Sequence, residues 1–332
     1  MKALPEVICL GELLIDFVSL DKNQSLAASS GFLKAPGGAP ANVAVGVTRL
    51  GGSAGFIGKV GQDPFGAYLK QVLRELGVNV QFLLEDLNAR TTLSFVAQKS
   101  DGVRDCIFYR HPGADMLLRP DELDQSYFSN VQVFHYGSIS FTAPDSEQAT
   151  LQAIRFAKEK GALISYDPNY RPDLWPNQSL ARQKMQDGFN YADFVKISEE
   201  EMTFITGADT PEGCGEFILR RGAKAAAVTL GEKGCYFTDG EVEGYLPGVP
   251  SKLVDSTGAG DAFTAAMLYH FAQKRRAFPG YQLKADREFQ GWLAFANAAG
   301  SIAVTKIGAI PSLPGRNEVL ARLAGDTSAA QM

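Results

Sequence analysis

The chain has 332 residues, 45% of them hydrophobic and 21% charged, with a formal net charge of -5. This is the composition of a globular protein, with no basic excess to attract nucleic acid or anionic lipid, so any anionic ligand must be held by local features. Four cysteines without a CxxC pair, and only three histidines, give no support to a zinc site. The cysteines read as reduced core residues of a cytoplasmic protein. Glu6, Glu12 and Asp16 interrupt the first apolar run, so it does not read as a signal peptide. The longest apolar stretch, 292–304, is too short for a bilayer and contains Asn297, and is expected to be a core helix.

In chain order, "EVICLGELLIDF" reads as a buried strand running into a turn at Gly11. A polar, small-residue loop or surface strand leads to Gly37-Gly38. "PANVAVGVTRLGG" has helical period and stops at Gly51-Gly52, and "AGFIGKVG" is the next strand. Asp63 caps a helix that has Pro64 in its first turn and ends at Gly77. The segment 91–110 alternates instead of running apolar, and turns at Ser100-Asp101-Gly102, which predicts a hairpin inserted between strand–helix units.

Alternation then resumes. "VQVFHYGSI", "ALISYDPN", "ADFVKIS" and "AAAVTLG" read as strands, with helices over 146–160 and in "EEEMTFIT". A second hairpin follows in "GCYFTDGEVEGYLPG", then long helices from about Gly258 and Arg287. Near-continuous apolar strands alternating with helices predict an α/β fold with a mostly parallel sheet covered on both faces.

Two stretches carry chemistry. In "DSTGAGDAF", Gly258, Ala259 and Gly260 lead into a helix, and Asp261 lies in its first turn. Such a turn presents unpaired N–H groups and a favourable dipole to an anion, and the small residues let a phosphate approach the backbone. An aspartate there repels phosphate but suits the removal of a proton from a group that attacks it. A tight turn followed by a helix-start acid fits this stretch equally well. In "APGGAPANVAVGV", Gly37 and Gly38 bare the backbone, and Asn42, one turn later, has an amide suited to vicinal hydroxyls. A glycine-rich helix entry with a locally satisfied Asn42 remains the alternative. No GxGxxG follows the first strand. Gly58-Lys59 lacks the Ser/Thr and the first glycine of a Walker A loop.

Together, "GGAPANVAVGVTRLGGSAGFIGKVGQDPFG" and "DSTGAGDAFTAAML" resemble the two signatures of the ribokinase-like (PfkB) sugar kinases, and the resemblance runs nearly chain-long, from Glu12 and Asp16 to "VTKIGAIPSLP". It implies ATP-dependent phosphorylation of a primary sugar hydroxyl on a Rossmann-like α/β core with a β-sheet lid. One domain is expected over 1–325, the lid formed by insertions at about 13–36 and 90–112, and 326–332 a disordered tail. By position, Asp261 corresponds to the family's catalytic base and the amides of Gly258, Ala259 and Gly260 to its anion hole. Asp16, Gly37, Gly38 and Asn42 correspond to the sugar side.

In "KISEEE", Glu201 holds the glutamate of the family's Asn-x-x-Glu element, which organises Mg²⁺ and phosphate through water, while Ser198 replaces the asparagine. Glu199 and Glu200 are set aside as helix-start acids, a reading not extended to Glu201. "VTLGEKG" resembles the nucleotide-side turn, with Thr229, Gly231 and Gly234 near ATP, and Asn297 matches a position beside adenine or is a satisfied core amide. Asp255 and carbonyls of Thr257, Val304, Ile307 and Ala309 resemble the K⁺ loop of ribokinases.

"FYRHPGAD" and "DPNYRPDLW" resemble the fructokinase branch, which implies D-fructose phosphorylated at C6. The same elements resemble 2-keto-3-deoxygluconate kinases, where Arg110 and Arg171 would fork a carboxylate. A lid–core salt bridge for Arg110, and a phosphate or a nearby acid for Arg171, are the other readings. A ribose or nucleoside kinase and a non-catalytic sugar sensor remain alternatives. The resemblance also suggests a homodimer through the lid, with sugar and ATP as the partners and neither nucleic acid nor membrane.

Overall fold

The computed structural model describes residues 4–98 and 104–329. The expected turn at Ser100-Asp101-Gly102 lies outside the described residues.

The strands in the first half are β1 (Val7–Leu10), β2 (Leu14–Ser19), β3 (Phe32–Gly37), β4 (Ala54–Gly61), β5 (Asn79–Asp86), β6 (Leu93–Gln98) and β7 (Arg104–Tyr109). Those in the second half are β8 (Val133–Gly137), β9 (Leu163–Asp167), β10 (Phe194–Ser198), β11 (Ala225–Thr229), β12 (Gly234–Thr238) and β13 (Glu243–Pro247). The helices are α1 (Ala39–Arg49), α2 (Pro64–Glu75), α3 (Pro144–Glu159), α4 (Gln178–Phe189) and α5 (Glu199–Thr206). They continue with α6 (Pro211–Arg220), α7 (Ala259–Ala277), α8 (Arg287–Ala303), α9 (Ala309–Ser312) and α10 (Arg316–Ala329).

Nine strands form one sheet in the order β13-β12-β11-β10-β9-β8-β1-β4-β5. All its pairs are parallel except β11 with β12 and β12 with β13. The apolar strand runs follow from burial on both sides. In β1, Val7 and Cys9 enter one core with α1, α2, α7 and α8, while Ile8 and Leu10 enter the other with α3 to α6. A strand covered on both faces needs no polar alternation.

The lid is a separate sheet, β3-β2-β6-β7, with β2 parallel to β6 and both outer pairs antiparallel. Its strands come from two stretches of the chain, 14–37 and 93–109. Phe17 stacks on Phe95 at 4.9 Å, Phe32 meets Phe95 edge-on at 5.3 Å, and Phe17 meets Phe65 of α2 at 5.8 Å. These contacts tie the lid to the start of α2, where Asp63 caps the helix by accepting from the amides of Phe65 and Gly66.

Several elements went unanticipated: β5, α4, α6 and α10. Helix α10 continues to Ala329, past residue 325 where the tail was expected to begin.

Candidate active site

The C-terminal ends of parallel strands and the helices that follow them form the natural ligand crevice of an open α/β sheet. Here the chain brings Asn42 of α1 and Asp261 of α7 together across 219 positions: Asn42 Nδ2 donates to Asp261 Oδ2 at 2.8 Å, with both residues buried. Burial pushes the Asp261 carboxyl up to about 6. The Asn42 bond opposes that rise, Asp167 adds to it, and Lys196 and Arg171 oppose it. Asn42 Oδ1 is buried and has no protein partner. A buried acceptor left open costs free energy unless a ligand or water fills it.

The turn before α7 has Gly258 at φ 84, and a Cβ there would lie 2.9 Å from the Ala309 Cα, so α7 begins tight against α9. Ala259 N–H donates to the Ser256 carbonyl at 3.3 Å. Of the three amides expected to form the anion hole, that of Ala259 is thus engaged within the turn. The amides of Gly260 and Asp261, in the first helical turn, are the ones that helix geometry leaves unpaired.

Asp16 lies in β2, accepting from the Ser94 hydroxyl of β6. A Cβ on Gly37 would overlap Asp16 Oδ2, and one on Gly38, at φ 117, would overlap the Glu12 carbonyl. The glycine pair therefore lets the lid strand, the Glu12 turn and the start of α1 converge. Glu12 was missed. It is 3% exposed, and its Oε1 accepts from Ala39 N at 2.8 Å, capping the crevice end of α1. Burial pushes its carboxyl up to about 7. An acid directly after an apolar strand and a glycine was the signal.

Arg110 is 5% exposed; its Nε donates to Asp115 Oδ2 at 2.7 Å and its Nη1 to Thr142 Oγ1 at 2.7 Å. Thr92 Oγ1 also donates to Asp115, at 2.5 Å. The guanidinium is thus paired with an internal acid, Asp115. Arg171 is exposed and donates from Nη1 to the Tyr170 carbonyl at 3.0 Å.

Ser198 and Glu201 form a capping box at the start of α5. Ser198 N and Oγ donate to Glu201 Oε2 at 3.1 and 2.9 Å, and Tyr170 N donates to Oε1. The helix-start role withheld from Glu201 is therefore one it performs, since an N3 glutamate satisfies orphan amides.

Of the residues expected to meet the nucleotide, Thr229 pairs in register with Ser198. Gly231 and Gly234, at φ 59 and 103, shape the turn between β11 and β12. Asn297 Nδ2 donates to the Pro247 carbonyl at 3.1 Å, fastening α8 to β13. Asp255 joins two loops, with Oδ1 accepting from Thr257 N and Oγ1 at 2.9 and 2.6 Å and Oδ2 from Gly308 N at 2.9 Å. The Val304 carbonyl accepts from Val254 N at 2.8 Å and Asp255 N at 3.2 Å, while Ile307 is exposed and Ala309 opens α9. Asp255 and Val304 thus hold together the two loops, 255–257 and 304–309, that carry the five residues named for a cation.

Asp167 and Lys196 were also missed, though a charge closing one apolar strand and another inside the next were visible signals.

The family model for the pfkB family of carbohydrate kinases matches residues 4–316. Probable fructokinase-7 of Arabidopsis thaliana is 46% identical over 317 residues, covering 94% of this chain and 91% of the relative. The crystal structure of a fructokinase with bound ATP from Xylella fastidiosa superposes with a TM-score of 0.88 at 36% identity, covering 98% of this chain and 100% of that one. A double mutant of a Vibrio cholerae fructokinase, solved with fructose, ADP and potassium ion, gives 0.84 at 31%, covering 97% and 99%. The chain belongs to the pfkB family of carbohydrate kinases.

Proposed function

We propose that this chain is a fructokinase that moves the γ-phosphoryl group of ATP to the C6 hydroxyl of D-fructose, with Asp261 as the general base. The observation that carries the assignment is the buried Asn42–Asp261 contact at the mouth of α7. Asn42 occupies Oδ2 and orients the carboxylate, which leaves Oδ1 to take the sugar proton. With its proton affinity raised to about 6, Asp261 is ionised at neutral pH yet more basic than an exposed aspartate, as a general base requires. The C6 oxygen attacks the γ-phosphorus, its proton passes to Asp261, and the bond to the ADP oxygen breaks. Amides of the first turn of α7 would carry charge that develops on the transferred phosphoryl.

The sugar sits between Asp16 on the lid and Asn42, whose open Oδ1 accepts a hydroxyl. Mg²⁺ supplies charge neutralisation between the phosphates when bound, and Glu201 would order it through water. Asp255, with the carbonyls of Thr257, Val304, Ile307 and Ala309, would hold K⁺. Asp255 already draws these loops together, and a carboxylate among carbonyls is the oxygen-rich donor set such an ion takes. Thr229, Gly231, Gly234 and Asn297 line the nucleotide side.

A neutral sugar is favoured over 2-keto-3-deoxygluconate because Arg110 is committed to Asp115 and Thr142. Exposed Leu33, Ile107 and Tyr109 on the lid support a homodimer through it. Among the described residues no helix is long and apolar enough to cross a membrane. The four cysteines are free, three of them buried, which suits a reducing cytoplasm.

An ADP-release screen over fructose, 2-keto-3-deoxygluconate, ribose and nucleosides, with and without K⁺, tests the assignment. Release with fructose at a kcat/KM well above the others is expected. Preference for ketodeoxygluconate overturns the sugar, and fructose binding without ADP release overturns the kinase.

A further inference from the structure

Strand β10 carries a lysine inside an apolar run. Lys196 shares the α7-facing side with Phe194 and is 6% exposed. Parallel register with β9 sets it beside Asp167, 3% exposed, and Lys196 Nζ lies 3.1 Å from Asp167 Oδ2. That same oxygen accepts from Thr264 Oγ1 of α7 at 3.4 Å, while Asp167 Oδ1 is buried without a partner. On its other side, Nζ lies 2.8 Å from the place a Cβ on Gly260 would take. One buried ammonium thus touches β9, β10 and the residue before Asp261. Apolar side chains would pack this space at lower desolvation cost, so support of the fold does not by itself account for the pair.

We propose that Asp167 and Lys196 form a positioning pair for the reaction: Lys196 supports the first turn of α7 at Gly260, and Asp167 keeps the ammonium from pairing with the Asp261 carboxylate. The inference rests on Asp261 being the base. A lysine free to bond Asp261 would hold it ionised but weaken it as a proton acceptor. Gly260 also gains a second reason to be glycine, because any side chain there displaces the ammonium.

The surrounding charges agree. Of the groups that face Asp261, Asp167 raises its proton affinity, whereas Lys196 and Arg171 lower it. Burial pulls Lys196 down, but Asp167 first, then Glu201 and Asp261, carry it above the ordinary lysine value, so it stays cationic. His135 on β8, its Nδ1 3.1 Å from Ser165 Oγ, is held neutral at about 3 by burial and then by Lys196.

The test is the acid limb of kcat/KM against pH in Asp167→Asn, Lys196→Met and the double variant, with folding checked by circular dichroism. Asp167→Asn is expected to move the limb down and Lys196→Met to move it up, each by on the order of half a unit or more. The double variant, which leaves neither charge unpaired, is expected to return the limb to the parent position with kcat reduced about tenfold or more and the sugar KM little changed. Unmoved limbs in the single variants overturn the electrostatic part of the proposal, and a role in fold stability alone leaves the double variant with parental kcat and overturns the positioning part. If either single variant fails to fold, the double variant decides: parental kcat, or a displaced limb, overturns it. Asp261→Asn assayed alongside separates the two readings. Near-parental turnover there overturns the base, whereas its inactivity with unmoved limbs in the other variants overturns the pair alone.

Discussion

Replacing Asp261 by asparagine removes a proton acceptor and a buried charge at once, so activity and stability should move in opposite directions. The side chain is 8% exposed, and its carboxyl is raised from 3.8 to about 6. A folded-state value above the unfolded one means that the folded protein binds more protons between pH 4 and 6, so the carboxylate costs stability above that window. At about 1.4 kcal/mol per pH unit, a rise of about two units costs about 3 kcal/mol at pH 8. The cost falls to about 1 kcal/mol at pH 4.5 and is lost below the unfolded value. Asparagine keeps the shape and an acceptor for Asn42 Nδ2 without the charge. The variant should therefore unfold at higher urea concentration than the parent, by a gap about three times larger at pH 8 than at pH 4.5, measured without ligands. Its kcat should fall by on the order of 10²–10⁴ with fructose still bound. Equal stability of the two proteins at pH 8, or a gap that does not change with pH, would refute the buried-charge argument. Retained turnover would refute the role of base.

Glu12→Gln follows the same sign, since burial raises Glu12 to about 7. The variant should melt above the parent at pH 8.5, with the gap closing below pH 5 in a thermal scan, because glutamine still caps Ala39. Gly37→Ala places a methyl where Asp16 Oδ2 lies. It should raise the fructose KM on the order of tenfold or more, read in steady-state kinetics, and leave the ATP KM near the parent value.

The alternation of apolar strands with helices, the glycine punctuation and the Asp63 cap were legible along the chain because each is a local consequence of period, backbone freedom or a side chain within reach of its own amides. So was the lid, whose half-exposed strands alternate where the core strands do not. The two glycine turns were visible as candidates, yet "STGAGD" alone is compatible with a capped helix as well as a phosphate turn. What separates those readings is the Asn42 amide on Asp261 across 219 positions, which only the juxtaposition of α1 and α7 creates.

The same holds for partners. Arg110 looked available for a ligand in a linear reading, and folding pairs it with Asp115, while Glu201 gains a capping box beside its proposed role toward Mg²⁺. Asp167 and Lys196, on different strands, become one ion pair only through parallel register. Burial then decides the chemistry, because the proton affinities of Glu12 and Asp261 depend on how much water the tertiary structure removes around them. The sequence determined which groups exist and which elements carry them; the packing of those elements decided which groups meet and which are left to meet a substrate.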